Sequence, residues 1–197
     1  MINKAMEYAR SIFEADASGH DFDHTMRVYR MAVWIAQEEC ADLQTVALAA
    51  LLHDVDDRKL SPETCKNKDR AVCFLRENGV SESEIQRIVR IISEISFSEG
   101  NGRPSTVEGM CVQDADRLDA LGAIGIARTF AFGGSRGRRM HDPEGLDKES
   151  SIQHFYDKLL LLKDRMNTDT GRQTAIARDG FLRMFLEEFY AEWDGIR

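Results

Sequence analysis

Apolar residues recur at helical spacing along nearly the whole chain, and the strict alternation that marks β-strands is almost absent. Only three prolines interrupt this pattern, and each lies at the edge of a periodic segment. We therefore predict an all-α protein, built as one helical bundle spanning residues 1–197. The pattern predicts eight helices at about 2–15, 21–39, 43–55, 62–78, 82–98, 107–131, 149–166 and 169–194.

Capping signals support several of these boundaries. Ser61 followed by Pro62 is typical of an N-cap with proline at the first helical position. Ser81 and Glu84 have the spacing of a capping box, which predicts a helix start there. The pair Asn78–Gly79 just before them is typical of a helix end.

One segment departs from the helical pattern. Residues 132–147 contain four glycines, one proline and three arginines, which predicts a flexible loop rich in glycine and arginine. A loop of this length inside a compact helical protein often has a function.

Composition excludes several classes of protein. Hydrophobic residues make up 43% and charged residues 30% of the 197 residues, as in ordinary globular proteins. The net charge of −8 and the lack of a basic run argue against nucleic-acid binding. The sequence shows no run of 18 apolar residues and no signal-peptide pattern, and its four cysteines form no Cys-x-x-Cys pair. We expect a soluble cytoplasmic protein, away from membranes, with reduced thiols.

The doublet His53-Asp54 is the first candidate for chemistry. It follows the uncharged run from Val46 to Leu52 and precedes Asp56 and Asp57. Burial of ionisable groups at the end of an apolar helix is costly unless something binds them, and a metal ion is a common partner for such a pair. Consecutive helical residues point about 100° apart, so both side chains reach one ion only at a helix end.

His24 is the best second histidine. It shares a helical face with Val28, Met31 and Ile35, so its side chain should point into the core. Alone, it would be interpreted as a hydrogen-bonded core histidine, but beside a buried His-Asp pair we favour a metal ligand. His20, four residues earlier, offers a His-x-x-x-His alternative. Because the helix begins close to it, we expect His20 to support a metal ligand or to contact substrate instead.

A fourth ligand should be a carboxylate on an apolar helix. The segment 111–127 supplies three acids, Asp114, Asp116 and Asp119, among small and apolar residues. Three acids within six residues of so apolar a helix cannot all be surface charges. Helical periodicity does not separate Asp114 from Asp116.

These motifs resemble the H…HD…D signature of the HD-domain phosphohydrolase superfamily. The resemblance implies that Asp116 is the last metal ligand and that an acidic catalytic residue stands at Asp57. It extends over nearly the whole chain to a small bacterial branch that looks like metal-dependent nucleotide pyrophosphohydrolases. The similar segments of that branch are His20-Asp21-x-x-His24-x-x-Arg27-Val28, Phe132-Gly-Gly, His154-Phe-Tyr-Asp-Lys158 and Met166-Asn-Thr-x-x-Gly171-Arg172.

The predicted ligands, His24, His53, Asp54 and Asp116, combine nitrogen and oxygen donors. Such a set suits Mn²⁺, Fe²⁺, Co²⁺, Ni²⁺ or Zn²⁺ better than Mg²⁺, and we expect Mn²⁺ first. Variants of the family with two metals carry extra histidines near the doublet. Since His141 and His154 lie far along the chain, we predict a single metal.

Catalysis also needs a group that orients or deprotonates water. Asp57 lies four residues after His53, on the same face if the helix continues, and Asp56 is its neighbour. The alternative is that Asp56 and Asp57 only solvate the helix end.

Anionic substrate requires cations. Arg27 follows His24 by three residues, and Arg117 and Lys158 are further candidates. The cluster Arg136, Arg138 and Arg139 could close over a triphosphate, with a solvated surface loop as the alternative.

We expect hydrolysis of a nucleotide phosphoanhydride, from a ribo- or deoxyribonucleoside triphosphate to the monophosphate and pyrophosphate. The alternatives are a 5′-nucleotidase, a nucleotide phosphodiesterase, or a non-catalytic module that senses nucleotides. The expected partner is therefore a small phosphorylated molecule, and a homodimer is one assembly we consider.

Overall fold

The computed structural model of the chain describes residues 1–13, 21–57, 63–95 and 102–196. Within these ranges it has nine α-helices, one 3₁₀ helix and no β-strand, so the prediction of an all-α protein is confirmed. The helices are α1 (Ile2–Phe13), α2 (Phe22–Glu38), α3 (Leu43–Leu52), α4 (Asp69–Glu77), α5 (Glu82–Ile95), α6 (Val107–Asp119), α7 (Gly122–Ser135), α8 (Ser151–Asp157), the 3₁₀ helix (Leu159–Arg165) and α9 (Asp169–Trp193).

The helices form two compact units, one from Met1 to Asp116 and one from Arg117 onward. In the first unit α3 is the central element, because α1, α2 and α5 all pack against it. Every α3 residue from Thr45 to Leu52 is buried, as expected of a helix that is apolar on all sides. His53 and Asp54 therefore directly follow a fully buried stretch of helix.

Helix α4 begins later than predicted. The sequence predicted a helix over 62–78, but α4 starts at Asp69, and Ser61 and Pro62 lie outside the described residues. The carboxylate of Asp56 accepts hydrogen bonds from the backbone N–H groups of Arg70 (3.1 Å) and Ala71 (3.0 Å). This N-terminus is thus capped by a residue that is distant in sequence.

The helix ends at 77–82 agree with the prediction. Glu84 N donates to Ser81 Oγ (3.4 Å), and Ser81 N donates back to the Glu84 carboxylate (3.3 Å), which completes the capping box at the start of α5. Gly79 has a φ of +76°, the left-handed conformation expected of glycine after a helix end.

The predicted helix 107–131 is two helices. Ala120 N and Leu121 N donate to carbonyls only three residues earlier, and Gly122 then takes a φ of +71°. Helix α7 turns back so tightly that a Cβ on Gly125 would lie 2.2 Å from the carbonyl oxygen of Ala120. A left-handed residue cannot continue an α-helix, so the chain changes direction there.

In the second unit, α7 packs against α8 and α9. Helix α7 continues to Ser135, so the loop predicted at 132–147 begins four residues later than expected. Gly133 is where α7 meets the start of α8, because a Cβ there would lie 2.2 Å from Ser151 Oγ. The predicted helix 149–166 is also divided, into α8 and the 3₁₀ helix.

The remaining loop is organised by Asp142. Its Oδ2 accepts from the backbone N–H groups of Leu146 (2.8 Å) and Asp147 (2.7 Å), and Arg139 lies 3.4 Å from its Oδ1. The hydrogen bond from Asp147 N, above all, lowers the pKa of this carboxyl below its usual value. None of the described helices is long and apolar enough to cross a lipid bilayer.

Candidate metal site

His53 is held with one ring nitrogen left for a ligand. It stands at the C-terminal end of α3, and its Nδ1 lies 2.8 Å from the carbonyl oxygen of Ala50. Since a carbonyl oxygen only accepts, Nδ1 carries the proton and Nε2 of the neutral ring carries a lone pair. That Nε2 atom is buried and has no hydrogen-bond partner among the residues that the structure describes. A buried lone pair left in this way is costly unless a cation completes it.

Asp54 and His24 face this atom. The Oδ2 of Asp54 lies 3.1 Å from Nε2 of His53 and 3.6 Å from Nε2 of His24. The three candidate ligand atoms all lie within 4.8 Å of one another. Two ligand atoms about 2.1 Å from one ion and at right angles lie about 3 Å apart. The observed spacing therefore fits a single ion bound by all three residues.

His24 is fixed by the first turn of α2. Its backbone N–H donates to the N-cap carboxylate of Asp21 (2.6 Å), and its side chain is only 2% exposed. The imidazole ring meets that of His53 edge-on, with the ring centres 5.5 Å apart. The expectation from sequence that His24 points into the core is correct.

The negative charge at this point raises the pKa of His53 above its usual value. Burial alone would lower that pKa, but the charge of Asp54, with the charge of Asp116, outweighs burial. The same negative field that favours a proton on the imidazole would favour a metal cation in its place.

Asp116 is the acid of α6 that lies beside the cluster. Its Oδ1 is 3.4 Å from Nε2 of His24, and its side chain is 35% exposed. Asp114, the alternative left open by periodicity, is fully buried, and Asp119 makes an ion pair with Arg128 (2.6 Å). The geometry favours Asp116 as the fourth ligand, in agreement with the family resemblance, and the ligand set remains a prediction.

The two acids after the doublet have different environments. Asp56 is fully buried and caps α4, which favours a structural role over the predicted catalytic one. The backbone after Leu52 does not continue as an α-helix: Val55 N donates to Leu52 O (3.3 Å) and Asp57 N to Asp54 O (2.9 Å). With three residues per turn, Asp57 lies on the side of Asp54, not of His53. Asp57 is half-buried, and its catalytic role remains a prediction.

The cations predicted in the first unit are only partly described. Arg27 is half-buried on α2, one turn after His24. His20 lies outside the described residues. Sequence analysis did not single out Lys68, which is 5% exposed and takes a left-handed φ of 56° immediately before α4. A buried ammonium in a strained conformation is a candidate anion contact, and no sequence pattern marks it.

In the second unit, several predicted cations lie near one another. Burial lowers the pKa of His154, and the positive charges of Lys158 and Arg138 lower it further, so His154 is the neutral member of a group whose charge comes from Lys158 and Arg138. The guanidinium groups of Arg136 and Arg138 both lie 5.5 Å from the ring centre of Phe132.

The other cations of this unit bind protein groups. Arg138 also lies 3.6 Å from Glu149, and Arg139 pairs with Asp142. Arg117, by contrast, is buried and donates to the carbonyl oxygen of Arg165, which indicates a structural role. His141 packs edge-on against aromatic residues of α9, namely Phe189, Tyr190 and Trp193.

At the end of α3, the central helix of the first unit, two buried histidines and one aspartate lie together. The chain is therefore an all-α protein with a candidate metal centre. The chain belongs to the HD domain family, whose sequence model matches residues 21–121. That match includes α2 through α6 and all four predicted metal ligands.

Similar proteins extend the match to nearly the whole chain. In sequence the chain is 41% identical to YpgQ of Bacillus subtilis, over 96% of this chain and 92% of that protein. Its fold is similar to that of an HD-superfamily hydrolase from Bacillus thuringiensis, with a TM-score of 0.84, 42% identity and coverage of 98% and 96%. The crystal structure of Bacillus subtilis YpgQ in complex with ADP superimposes with a TM-score of 0.85 and 37% identity over both whole chains.

Proposed function

We propose that this protein is a metal-dependent phosphohydrolase that cleaves nucleoside or deoxynucleoside triphosphates to the monophosphate and pyrophosphate. The observation that carries the proposal is the buried Nε2 atom of His53, which faces the Asp54 carboxylate and has no hydrogen-bond partner within the described ranges of the chain. In this proposal residues 1–197 act as one HD hydrolase.

His24, His53, Asp54 and Asp116 would hold one divalent transition metal, with Mn²⁺ as our first expectation. Bound there, the ion would supply a Lewis acid for a phosphoryl oxygen and lower the pKa of coordinated water. The protein fixes His53 for this purpose through the carbonyl of Ala50 (2.8 Å), which sets its tautomer and ring orientation.

Asp57 is our candidate for orienting the attacking water. It follows Asp54 by one 3₁₀-type turn and is half-buried, so we expect its carboxylate on the side of Asp54, with access to solvent. Asp56, whose two oxygens are hydrogen-bonded to α4, is assigned to holding this turn in place.

The cations proposed to bind phosphate are Arg27, one helical turn from His24, and Arg138 and Lys158, whose positive charges both act on His154. They would supply local positive charge in a protein of net charge −8. Arginine forks match phosphate oxygens in a bidentate way, which suits Arg136 and Arg139 as well. A crystal structure of the similar YpgQ protein contains ADP, which supports a nucleotide as substrate.

The deciding experiment is a nucleotide panel with the metal-stripped protein reloaded with Mn²⁺. The panel includes ribo- and deoxyribonucleoside triphosphates, ADP, a 5′-monophosphate and a cyclic nucleotide, with pyrophosphate and orthophosphate measured separately. We expect pyrophosphate from the triphosphates. Orthophosphate from monophosphates would instead select a 5′-nucleotidase, and opening of the cyclic nucleotide would select a phosphodiesterase.

Two variants sharpen this test. Asp57→Asn should bind Mn²⁺ as the wild type does and lose turnover, because it removes the proposed base and leaves the ligands intact. His53→Gln should lose both metal and activity. If the wild type binds Mn²⁺ and nucleotide but releases neither phosphate product from any compound and leaves the cyclic nucleotide intact, the enzyme proposal is wrong and the sensing module is preferred.

A further inference from the structure

Lys68, at the start of α4, is a buried lysine without an anion. The residue is only 5% exposed, and within the described ranges of the chain its ammonium group makes no hydrogen bond or ion pair. Burial of a charged group is costly unless an opposite charge or a hydrogen bond compensates it. The ammonium of Lys68 therefore lacks the partner that its burial calls for.

The backbone of Lys68 is also unfavourable for a lysine. It has a φ of 56° and a ψ of 42°, the left-handed conformation that favours glycine over residues with a side chain. Lys68 is the N-cap of α4, where side chains usually accept a hydrogen bond from the first turn, and an ammonium group cannot accept one. The positive end of the helix dipole at this position disfavours a cation as well. Several costs at one residue point to a role other than stability.

The start of α4 is fixed to the turn that follows the candidate ligands His53 and Asp54. Asp56, two residues after Asp54, accepts hydrogen bonds from the backbone N–H groups of Arg70 (3.1 Å) and Ala71 (3.0 Å). Both oxygens of Asp56 are therefore bound, and neither pairs with Lys68. Lys68 lies two residues before Arg70, so its backbone is held beside the same turn.

The neighbouring cation at this helix start has a partner. A guanidinium nitrogen of Arg70 lies 3.7 Å from the carboxylate of Glu63. Of the two cations that the structure describes in the first turn of α4, Lys68 is thus the one that has no anion. Its flexible four-carbon stem allows the ammonium group to meet an anion that lies away from its own backbone.

We propose that the ammonium group of Lys68 binds a phosphate group of the substrate beside the turn from Asp54 to Asp57. A phosphate oxygen there would supply the missing anion, and the charge-assisted hydrogen bond would offset the cost of burying the lysine. The identity of the anion as substrate phosphate rests on the proposed function. The binding of an oxyanion by Lys68 does not depend on hydrolysis, so the two can be tested separately.

The experiment is isothermal titration calorimetry of the full chain with inorganic pyrophosphate, with and without Mn²⁺. Lys68→Met, which removes the charge and keeps an unbranched side chain, should weaken pyrophosphate binding at least about tenfold, as expected for a hydrogen bond between charged groups. Lys66→Met, the same change at an exposed lysine two residues earlier, should bind pyrophosphate as the wild type does. Lys68→Arg keeps the charge and should bind more tightly than Lys68→Met, and circular dichroism checks the fold of each variant.

A second variant separates binding from stability. Lys68→Gly should raise the melting temperature, because glycine takes the left-handed conformation without strain and the buried charge is removed, yet it should lose pyrophosphate affinity as Lys68→Met does. Lys66→Gly is the control, because Lys66 does not have a positive φ, and its melting temperature should not rise.

Two results would overturn the proposal. One is a wild type that binds no pyrophosphate, and the other is equal pyrophosphate affinity in the wild type and Lys68→Met. A melting temperature lowered by Lys68→Gly, with pyrophosphate affinity unchanged, would likewise assign Lys68 to stability alone. If pyrophosphate binds through Lys68 but no nucleotide is hydrolysed, the oxyanion site stands and the proposed function fails.

Discussion

The Nε2 atom of His53 lies 3.1 Å from Oδ2 of Asp54, while the other nitrogen of the same ring donates to the carbonyl of Ala50. A lone pair and a carboxylate oxygen at this distance repel each other unless a positive charge joins them. The folded protein thus keeps an arrangement whose stability depends on a cation, which is the physical basis for the predictions about metal.

Metal should stabilise the native state through His53. Mn²⁺ at a concentration 100-fold above its dissociation constant should add about 2.7 kcal/mol to the unfolding free energy. The rise in melting temperature, measured by differential scanning calorimetry with and without Mn²⁺, should be absent in His53→Ala. His141→Ala, which alters a histidine packed against aromatic rings of α9, should keep the full rise.

Mn²⁺ affinity should depend on Asp116 and not on Asp114, the two acids of α6 that helical periodicity left as alternatives. Asp116→Asn should weaken Mn²⁺ binding by a factor of ten or more in isothermal titration calorimetry, because Asp116 lies 3.4 Å from His24. Asp114→Asn should bind Mn²⁺ in proportion to its folded fraction, which circular dichroism measures. The reverse pattern would move the ligand to the buried Asp114.

The glycines of α7 should differ in their tolerance of alanine. Gly125→Ala should lower the unfolding free energy by about 1–3 kcal/mol or more, because its methyl would overlap the carbonyl of Ala120 and overpacking has costs of this size. Gly134→Ala meets nothing and should add up to about 1 kcal/mol through helix propensity. Urea denaturation at neutral pH measures both, and equal effects would contradict the packing at Gly125.

The arginine cluster should act on substrate affinity. Replacing Arg136, Arg138 and Arg139 with alanine should raise the KM for triphosphates at least about tenfold, since a single hydrogen bond to a charged group contributes roughly 1.5–3 kcal/mol. The matched control is Arg87→Ala with Arg90→Ala, two exposed residues of α5. Steady-state kinetics that show no change in the triple variant would reduce the cluster to a surface feature.

Cys111 should resist alkylation. Burial, followed by the charges of Glu39, Asp114 and Glu108, raises the pKa of its thiol to about 12, so almost no thiolate forms below pH 10. Iodoacetamide at pH 8 should label the exposed Cys40 and Cys73 in the native protein and reach Cys111 only after unfolding. Peptide mass spectrometry measures the labelling, and rapid native modification of Cys111 would contradict its burial.

Local sequence signals predicted the helix boundaries correctly wherever the residues that form the boundary are close together in sequence. The capping box of Ser81 and Glu84 and the glycine stop at Gly79 depend on residues within one helical turn, and both were predicted correctly. The burial of α3 followed from its unbroken run of uncharged residues, which can be satisfied only inside a core.

Predictions failed where a distant residue determines the local structure. The glycines at 133 and 134 indicated a loop, but α7 continues through them, and the glycine at 133 makes room for Ser151 at the start of α8. The start of α4 at Asp69 had no signal of its own, because its N–H groups are bound by Asp56, a residue distant in sequence. Helical periodicity also ran across the break at Gly122, because both helices there are apolar.

The sequence by itself determined that the protein is helical, that its central helix ends in His53 and Asp54, and which residue types could bind a metal there. These features can be predicted because helical periodicity, and the free-energy cost of burying ionisable groups, depend on residues that are close together in sequence. Only the tertiary structure decided which acid of α6 meets His24 and which nitrogen of His53 is left without a partner. Those choices depend on how α2, α3 and α6 pack together, and a distance between helices has no counterpart in local sequence.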